Sequence, residues 1–335
     1  MTKPKRILWA DLTRGLAALG VIAYHMDVPG AEHLFVLVDL FFVLSGFVLS
    51  RSIDRIQSSA DWRRFMLKRL YRFMPLVWMA LFVRVALAFS GTLIGKPCDS
   101  AECQAIPVIS AALMLQILVP VSLTVMGPLW SLSVELVVNA GYAFPVSRRR
   151  NFVFSAIVFG VAFLLFTYFV PAGDIPGFAD RGFARGVFAF GLGLAINYLP
   201  KLRTPALVYL PALALSLIVC FVGLGFQPLF GTPVFALLVW GLSSIKVETE
   251  NSIYVAIASI LGNASFGIYV WHGAFRGVAQ MISRQVGFDP HGAAYPFSNF
   301  LMLASVSIAL ALFTYKFVEM PIMRNFEKRH PLTLR

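Results

Sequence analysis

The chain is divided by short polar connections into apolar runs, each roughly the 17–25 residues that a helix needs to cross a bilayer. That alternation limits what it can become. Hydrocarbon offers no water to backbone amides and carbonyls, so such runs must satisfy their own hydrogen bonds as helices. The runs fall at 8–25, 33–50, 71–90, 129–146, 152–170, 183–199, 206–224, 229–245, 253–275 and 299–318. The predicted fold is therefore all-α: a polytopic membrane helical bundle of about ten transmembrane helices in a single integral membrane domain spanning 1–335. Only 13% of the residues are charged and 59% are hydrophobic, and no long hydrophilic stretch marks an appended soluble domain.

A net charge of +12 would suggest a nucleic-acid partner in a soluble chain. Here the basic residues sit between apolar runs, without the aromatic interleaving of a base-stacking surface. The positive-inside rule accounts for them, and no nucleic acid is expected. Lys3-Pro4-Lys5-Arg6 before the first run resembles a signal peptide, but no small-residue cleavage site follows, so an uncleaved span with a cytoplasmic N-terminus is expected. Residues 106–126 are apolar but broken by Pro107 and Pro120. Counting them as a span would put Arg148-Arg149-Arg150 outside. Read as an interfacial or re-entrant part of a periplasmic segment, 91–126, they leave that cluster, Lys201, Arg203, Lys246 and the basic C-terminal end inside. Both termini are then cytoplasmic. A basic cytoplasmic loop, 51–72, carries Arg51, Arg55, Arg63, Arg64, Lys68, Arg69 and Arg72. It serves either as an anchor on anionic lipid or as a site for a phosphate-rich ligand. Cys98 and Cys103 share one polar loop, where they are either bonded or free thiols; Cys220 lies in an apolar run. No spacing suits a zinc site, and no metal is expected.

Ionisable groups at bilayer depth are costly and mark candidate sites. Arg14 and His25 are 11 positions apart in the first run, close to three helical turns, so they share a face about 16 Å apart along the axis. A snorkelling Arg and an interfacial His would be the bland alternative. Alternating span direction puts Arg14 in the inner half of its helix and His25 at the outer end. Asp39 and Glu135 fall in outer halves, Ser45-Gly46 in an inner half and His272 near an outer end. His25, Glu135 and His272 are thus expected to converge, a constellation suited to taking a proton from a hydroxyl. A helix-packing role for Glu135 and an interfacial role for His272 are the alternatives. Arg84 pairs with Asp39 or snorkels; Arg181 and Arg185 sit at an outer mouth, meeting an anionic acceptor or simply exposed.

These residues resemble a known family. Ala10 to Leu19 with Tyr24-His25 is similar to the first-helix motif of the membrane-bound acyltransferase-3 family, and Val38 to Phe47 to its second. Phe65 to Pro75 resembles its basic loop, Trp130-Ser131-Leu132-Ser133-Val134-Glu135 its Trp-Ser-Leu-Ser-x-Glu motif, Leu261 to His272 its ninth-span segment, and Tyr315 to Arg324 its terminal Glu-x-Pro pattern. The matches run in chain order from 10 to 324. Two positions depart: Leu136-Val137-Val138-Asn139 follows Glu135 where a Glu-Gln-Phe-Tyr-like run is common, and Phe266 stands where Tyr is usual.

The resemblance implies a bacterial inner-membrane enzyme that moves an acyl group, often acetyl, from cytoplasmic acyl-coenzyme A to a carbohydrate hydroxyl, for instance of lipopolysaccharide, exopolysaccharide or peptidoglycan. Membrane lipid surrounds it; its oligomeric state is left open. Joined to the depth argument, it makes His25 and Glu135 the catalytic candidates, with His25 acting as base or acyl carrier. Arg14, Ser45, Arg69 and Arg72 are assigned to acetyl-coenzyme A, and Asp39, Trp130 and His272 to the acceptor. The small residues Gly15, Ala17, Ala18, Ser45 and Gly46 either let helices approach or leave room for the donor arm. A secondary transporter or a flippase for lipid-linked sugars is the competing class, although no pair of related halves is visible.

Overall fold

The computed structural model describes residues 7–90, 100–116, 125–169, 181–223, 227–245, 252–287 and 294–330. Among these residues the chain is helical and contains no strand. The α-helices are α1 (Leu8–His25), α2 (Leu37–Ile53), α3 (Ser59–Ser90), α4 (Ala105–Ala112), α5 (Trp130–Tyr142), α6 (Arg149–Phe169), α7 (Gly182–Ala195), α8 (Ala206–Phe221), α9 (Gln227–Ser243), α10 (Ser252–Gln285), α11 (Ala294–Thr314) and α12 (Met320–Arg329). The helical bundle is as predicted, but not every expected span has spanning length. Among the described residues, five helical stretches are long and apolar enough to cross a membrane: Leu34–Ile53, Ser59–Ser90, Arg149–Thr167, Ile253–Gln285 and Ala294–Arg329. By contrast α5 has 13 residues and α7 has 14. At 1.5 Å per residue each reaches only about 20 Å, short of the roughly 30 Å hydrocarbon core. Both are interior pieces, and α7 is buried along nearly its whole length.

Local chemistry moves some boundaries away from the apolar runs. The basic stretch expected as a loop over 51–72 is mostly helix, with only residues 54–58 between α2 and α3. Ser58 and Asp61 form a capping box: the Asp61 amide donates to Ser58 Oγ at 3.1 Å, and the Ser58 amide to Asp61 Oδ2 at 3.1 Å. That start carries Arg63, Arg64, Lys68, Arg69 and Arg72 onto α3. At the other end of the chain, Pro321 does not stop the helix. Tyr315–Glu319 forms a π turn, and the chain continues as α12 with Pro321 in its first turn. Proline tolerates that place because a first-turn N–H needs no intrahelical partner. Lys68 Nζ bonds Glu327 Oε1 at 2.8 Å and Arg64 donates to the His330 carbonyl, so α12 lies along the basic end of α3.

Of the segment 91–126, the described part holds the eight-residue α4, too short to cross. Trp78 Nε1 donates to the Ala112 carbonyl at 2.9 Å, which holds α4 against α3. Pro120 and Cys98 lie outside the described residues. Cys220 is a buried free thiol.

Two close helix contacts set the frame. On α2, a Cβ at Gly46 would lie 2.2 Å from the Phe190 carbonyl oxygen of α7; reciprocally, one at Gly193 would lie 2.1 Å from the Val43 oxygen. Between α1 and α10, a Cβ at Gly15 would lie 2.4 Å from Leu261 Cβ, and one at Gly262 the same distance from Asp11 Cβ. Small residues let backbones meet where apolar lipid gives helices little reason to associate otherwise. α10 also packs on α3 and α11, and α7 on α5 and α6. The site lies where α1, α2, α3, α5 and α10 converge.

Candidate active site

The basic end of the site is built from α1, α2, α3 and α5. Arg69 and Arg72 are three positions apart on α3. Arg69 Nη2 donates to Glu135 Oε1 of α5 at 2.6 Å, with the side chains only 12% and 13% exposed. Ser45 Oγ of α2 donates to the same oxygen at 2.9 Å. The Arg69 guanidinium carbon also lies 4.6 Å from the Phe73 ring centre. On α1, Arg14 Nη2 donates to Asp11 Oδ1 at 2.5 Å, one turn back. The charges of Arg14, Arg69 and Arg72 lie close enough to act on one another, and Glu319 of the π turn is near Arg72. Among the described residues Arg72 has no ion-pair partner. The Nε atoms of Arg14 and Arg69 and Oε1 of Glu319 are buried without a hydrogen bond, as are both polar atoms of the Asn139 side chain, one turn from Glu135. Leaving buried polar groups unmatched costs about 1–3 kcal/mol each. Their concentration here marks a place built to receive further polar groups.

The other end is built from α1, α5 and α10. His25 closes α1, and its ring stacks on that of His272 with centres 5.3 Å apart and planes 25° apart. His272 is fully buried. The Tyr269 ring meets it edge-on at 5.4 Å. The Tyr269 hydroxyl donates to the Pro128 carbonyl at 2.7 Å and shares a 2.6 Å hydrogen bond with Ser131. A cavity of about 480 Å³ opens at His25, lined also by Trp130, Arg84, Arg276 and Gln280. Arg84 Nη2 pairs with Glu102 at 2.7 Å.

The structure brings His25 and His272 together, but not Glu135. Its carboxylate is taken by Arg69 and Ser45, so it does not orient His25. The α3 capping box explains the difference, because it makes Arg69 a helical residue aimed into the bundle. Asp39 does not meet Arg84 or the cavity. It pairs at 2.9 Å with Arg185, and the two side chains are 1% and 0% exposed. Arg185, expected at an outer mouth, is therefore a buried counter-ion beneath the Trp130 ring, 5.5 Å away. Trp130 does line the His25 cavity. Arg14, Arg69 and Arg72 are not among the residues lining the His25 cavity. α1 and α10 touch directly at Gly15 with Leu261 and at Gly262 with Asp11.

The profile of the acyltransferase-3 family, an acyltransferase domain, matches residues 7–316. The chain belongs to the acyltransferase-3 family. Among its relatives, the exopolysaccharide production protein ExoZ of Rhizobium meliloti (strain 1021) is 28% identical over 311 aligned residues, covering 87% of this chain and 90% of ExoZ. The "Putative peptidoglycan O-acetyltransferase YrhL" of Bacillus subtilis (strain 168) is 24% identical, covering 95% of this chain and 56% of that protein. The peptidoglycan O-acetyltransferase OatA of Listeria monocytogenes serovar 1/2a is 35% identical over 79 residues, 22% of this chain and 12% of OatA. No solved structure matches the chain.

As an acyltransferase, the chain needs a place for an activated acyl donor and a base near an acceptor. Among the described residues no group of His, Cys, Asp and Glu side chains could hold a metal ion. Sequence reasoning did not single out Tyr269, Arg276, Glu319 or Asn139 as site residues. Tyr269, His272 and Arg276 recur at helical spacing on one face of α10, a legible signal, but the apolar run ended at 275 and left Arg276 outside. Glu319 and Asn139 carried no such signal, because what distinguishes them is burial without a partner.

Proposed function

We propose that this acyltransferase moves an acyl group, acetyl in the first instance, from acyl-coenzyme A to a hydroxyl of a cell-surface or lipid-linked carbohydrate. The observation that carries this reading is the stacked His25–His272 pair, with His272 fully buried, at a cavity of about 480 Å³. That volume lies within the roughly 300–1,000 Å³ usual for small-molecule sites. His25 accepts the proton of the acceptor hydroxyl. The oxygen forms the ester bond to the acyl carbon as the carbon–sulfur bond breaks, and the proton held on His25 passes to the departing sulfur. His272 lies against the reacting imidazole, and Tyr269 is fixed by Ser131 and Pro128 beside it.

Arg72, together with the free Nε atoms of Arg14 and Arg69, suits the anionic end of coenzyme A. Glu135 and Ser45 hold Arg69 in place. Arg14 and His25 are about 16 Å apart along α1, a reach suited to a thin acyl-bearing arm. The basic residues at the ends of the helices favour a cytoplasmic donor side, with both termini there and the enzyme in a bacterial inner membrane. ExoZ and OatA, by their names, concern exopolysaccharide and peptidoglycan, which supports a surface carbohydrate as acceptor. The test is purified protein in proteoliposomes supplied with radiolabelled acetyl-coenzyme A and surface-polysaccharide fragments. Label on carbohydrate supports the reading; a folded protein that labels none defeats it.

A further inference from the structure

The His25 cavity is unevenly charged. Among the described residues that line it, Arg84 and Arg276 are cationic and none is a carboxylate. The charge of Arg84 is answered by Glu102, which is itself 5% exposed and does not line the cavity. Arg276 is exposed at the cavity and, among the described residues, has no ion-pair partner, so its guanidinium is free to meet a ligand. Sites for neutral sugars need acceptors as well as donors, because every sugar hydroxyl does both. Here Gln280 and His25 are the lining side chains that can accept, while Arg84, Arg276 and Trp130 only donate. A wall biased towards donors, with one accessible guanidinium that no side chain pairs with among the described residues, favours a ligand group that only accepts.

We infer that the acceptor is an acidic carbohydrate whose carboxylate or phosphate is held by Arg276. The inference rests on the reading of this cavity as the acceptor side. Position fixes where the anion sits relative to the reacting hydroxyl. Arg276 is one turn after His272 on α10, so their side chains are neighbours about 5–6 Å apart at Cβ. Arg276 is also near enough to act electrostatically on both His25 and His272. The acylated hydroxyl is therefore on the sugar that carries the anion or on the next one. Gly273 and Gly277 flank Arg276 on the cavity wall and leave room for the sugar ring beside the guanidinium. The same chemistry has two sources: a sugar carboxylate, or the phosphate that joins a sugar to a lipid carrier.

Calorimetric titration of the detergent-solubilised full chain with glucuronic acid, a glucosyl phosphate and neutral methyl glucoside separates these. At least one anionic probe is expected to bind about tenfold or more tightly than methyl glucoside. Arg276→Gln is expected to remove that preference and Arg276→Lys to keep most of it, with the heat-denaturation midpoints of both variants matching wild type. A preference for the phosphate identifies a carrier-linked sugar; a preference for the carboxylate identifies a sugar acid. In transfer assays Arg276→Gln should raise acceptor KM by about tenfold or more with a smaller change in kcat. Equal binding of neutral and acidic probes, or a preference that survives Arg276→Gln, overturns the inference. Selective anion binding without any labelled carbohydrate would instead defeat the proposed reaction and leave the acidic-ligand site standing.

Discussion

Asp39–Arg185 and Arg69–Glu135 are both ion pairs inside the bundle, yet their surroundings give them different work. Asp39 and Arg185 are sealed from solvent on both sides. Removing one partner from such a pair strands a charge and typically costs 3–5 kcal/mol. Asp39→Asn is therefore expected to lower the heat-denaturation midpoint sharply while leaving the donor and acceptor KM of the surviving folded protein near wild type. Replacing both residues with leucine should recover part of the loss. Glu135 instead holds an arginine whose Nε is still free. Glu135→Gln should raise donor KM by about tenfold, a larger effect on binding than on stability. His272 gives a third pattern. It is fully buried against His25 and Tyr269, so His272→Leu, which keeps an apolar side chain of similar bulk there, is expected to change the denaturation midpoint little. Transfer measured beside it should nevertheless fall. A lowered midpoint with full activity would make His272 a packing residue.

At the scale of elements, the close approach of α2 and α7 is what places Ser45 against Glu135. Gly46 has backbone within 2.2 Å of where a side chain would begin, and backbone cannot move aside as a flexible side chain can. Gly46→Val should push the helices apart, reduce thermal stability and raise donor KM, all measurable on one purified sample. Apolar run length read the helices well where hydropathy alone decides: α1 begins at Leu8 and ends at His25, as its run does. It failed where polar chemistry decides. The capping box at Ser58 and Asp61 was written in the sequence, but a hydropathy boundary at 71 hid it and left Arg69 in a loop. The π turn before Pro321 was less legible, because proline after an apolar run reads equally as a stop. The partners of Asp39 and Glu135 were not legible at all. Each lies in a different helix, and a depth estimate good to half a span does not choose among several arginines.

The whole molecule is a membrane bundle in which short buried helices, α5 and α7, are surrounded by longer ones. That arrangement lets Glu135 and Arg185 sit at depth without facing lipid, where an ionised group would be most costly. Reporter fusions at the two ends of the chain should both report the cytoplasm; opposite sides would reverse the donor and acceptor faces. Both the arginine end and the histidine end draw residues from α1 and α5, and the division of labour between the two ends is the centre of the proposed mechanism. The measurement that bears on it most directly is acetyl transfer from radiolabelled acetyl-coenzyme A to carbohydrate by reconstituted His25→Ala beside wild type. At saturating donor, turnover should fall by about 10²–10⁴-fold while donor KM stays within about threefold. Wild-type turnover by His25→Ala, or a loss confined to donor KM, would contradict the assignment.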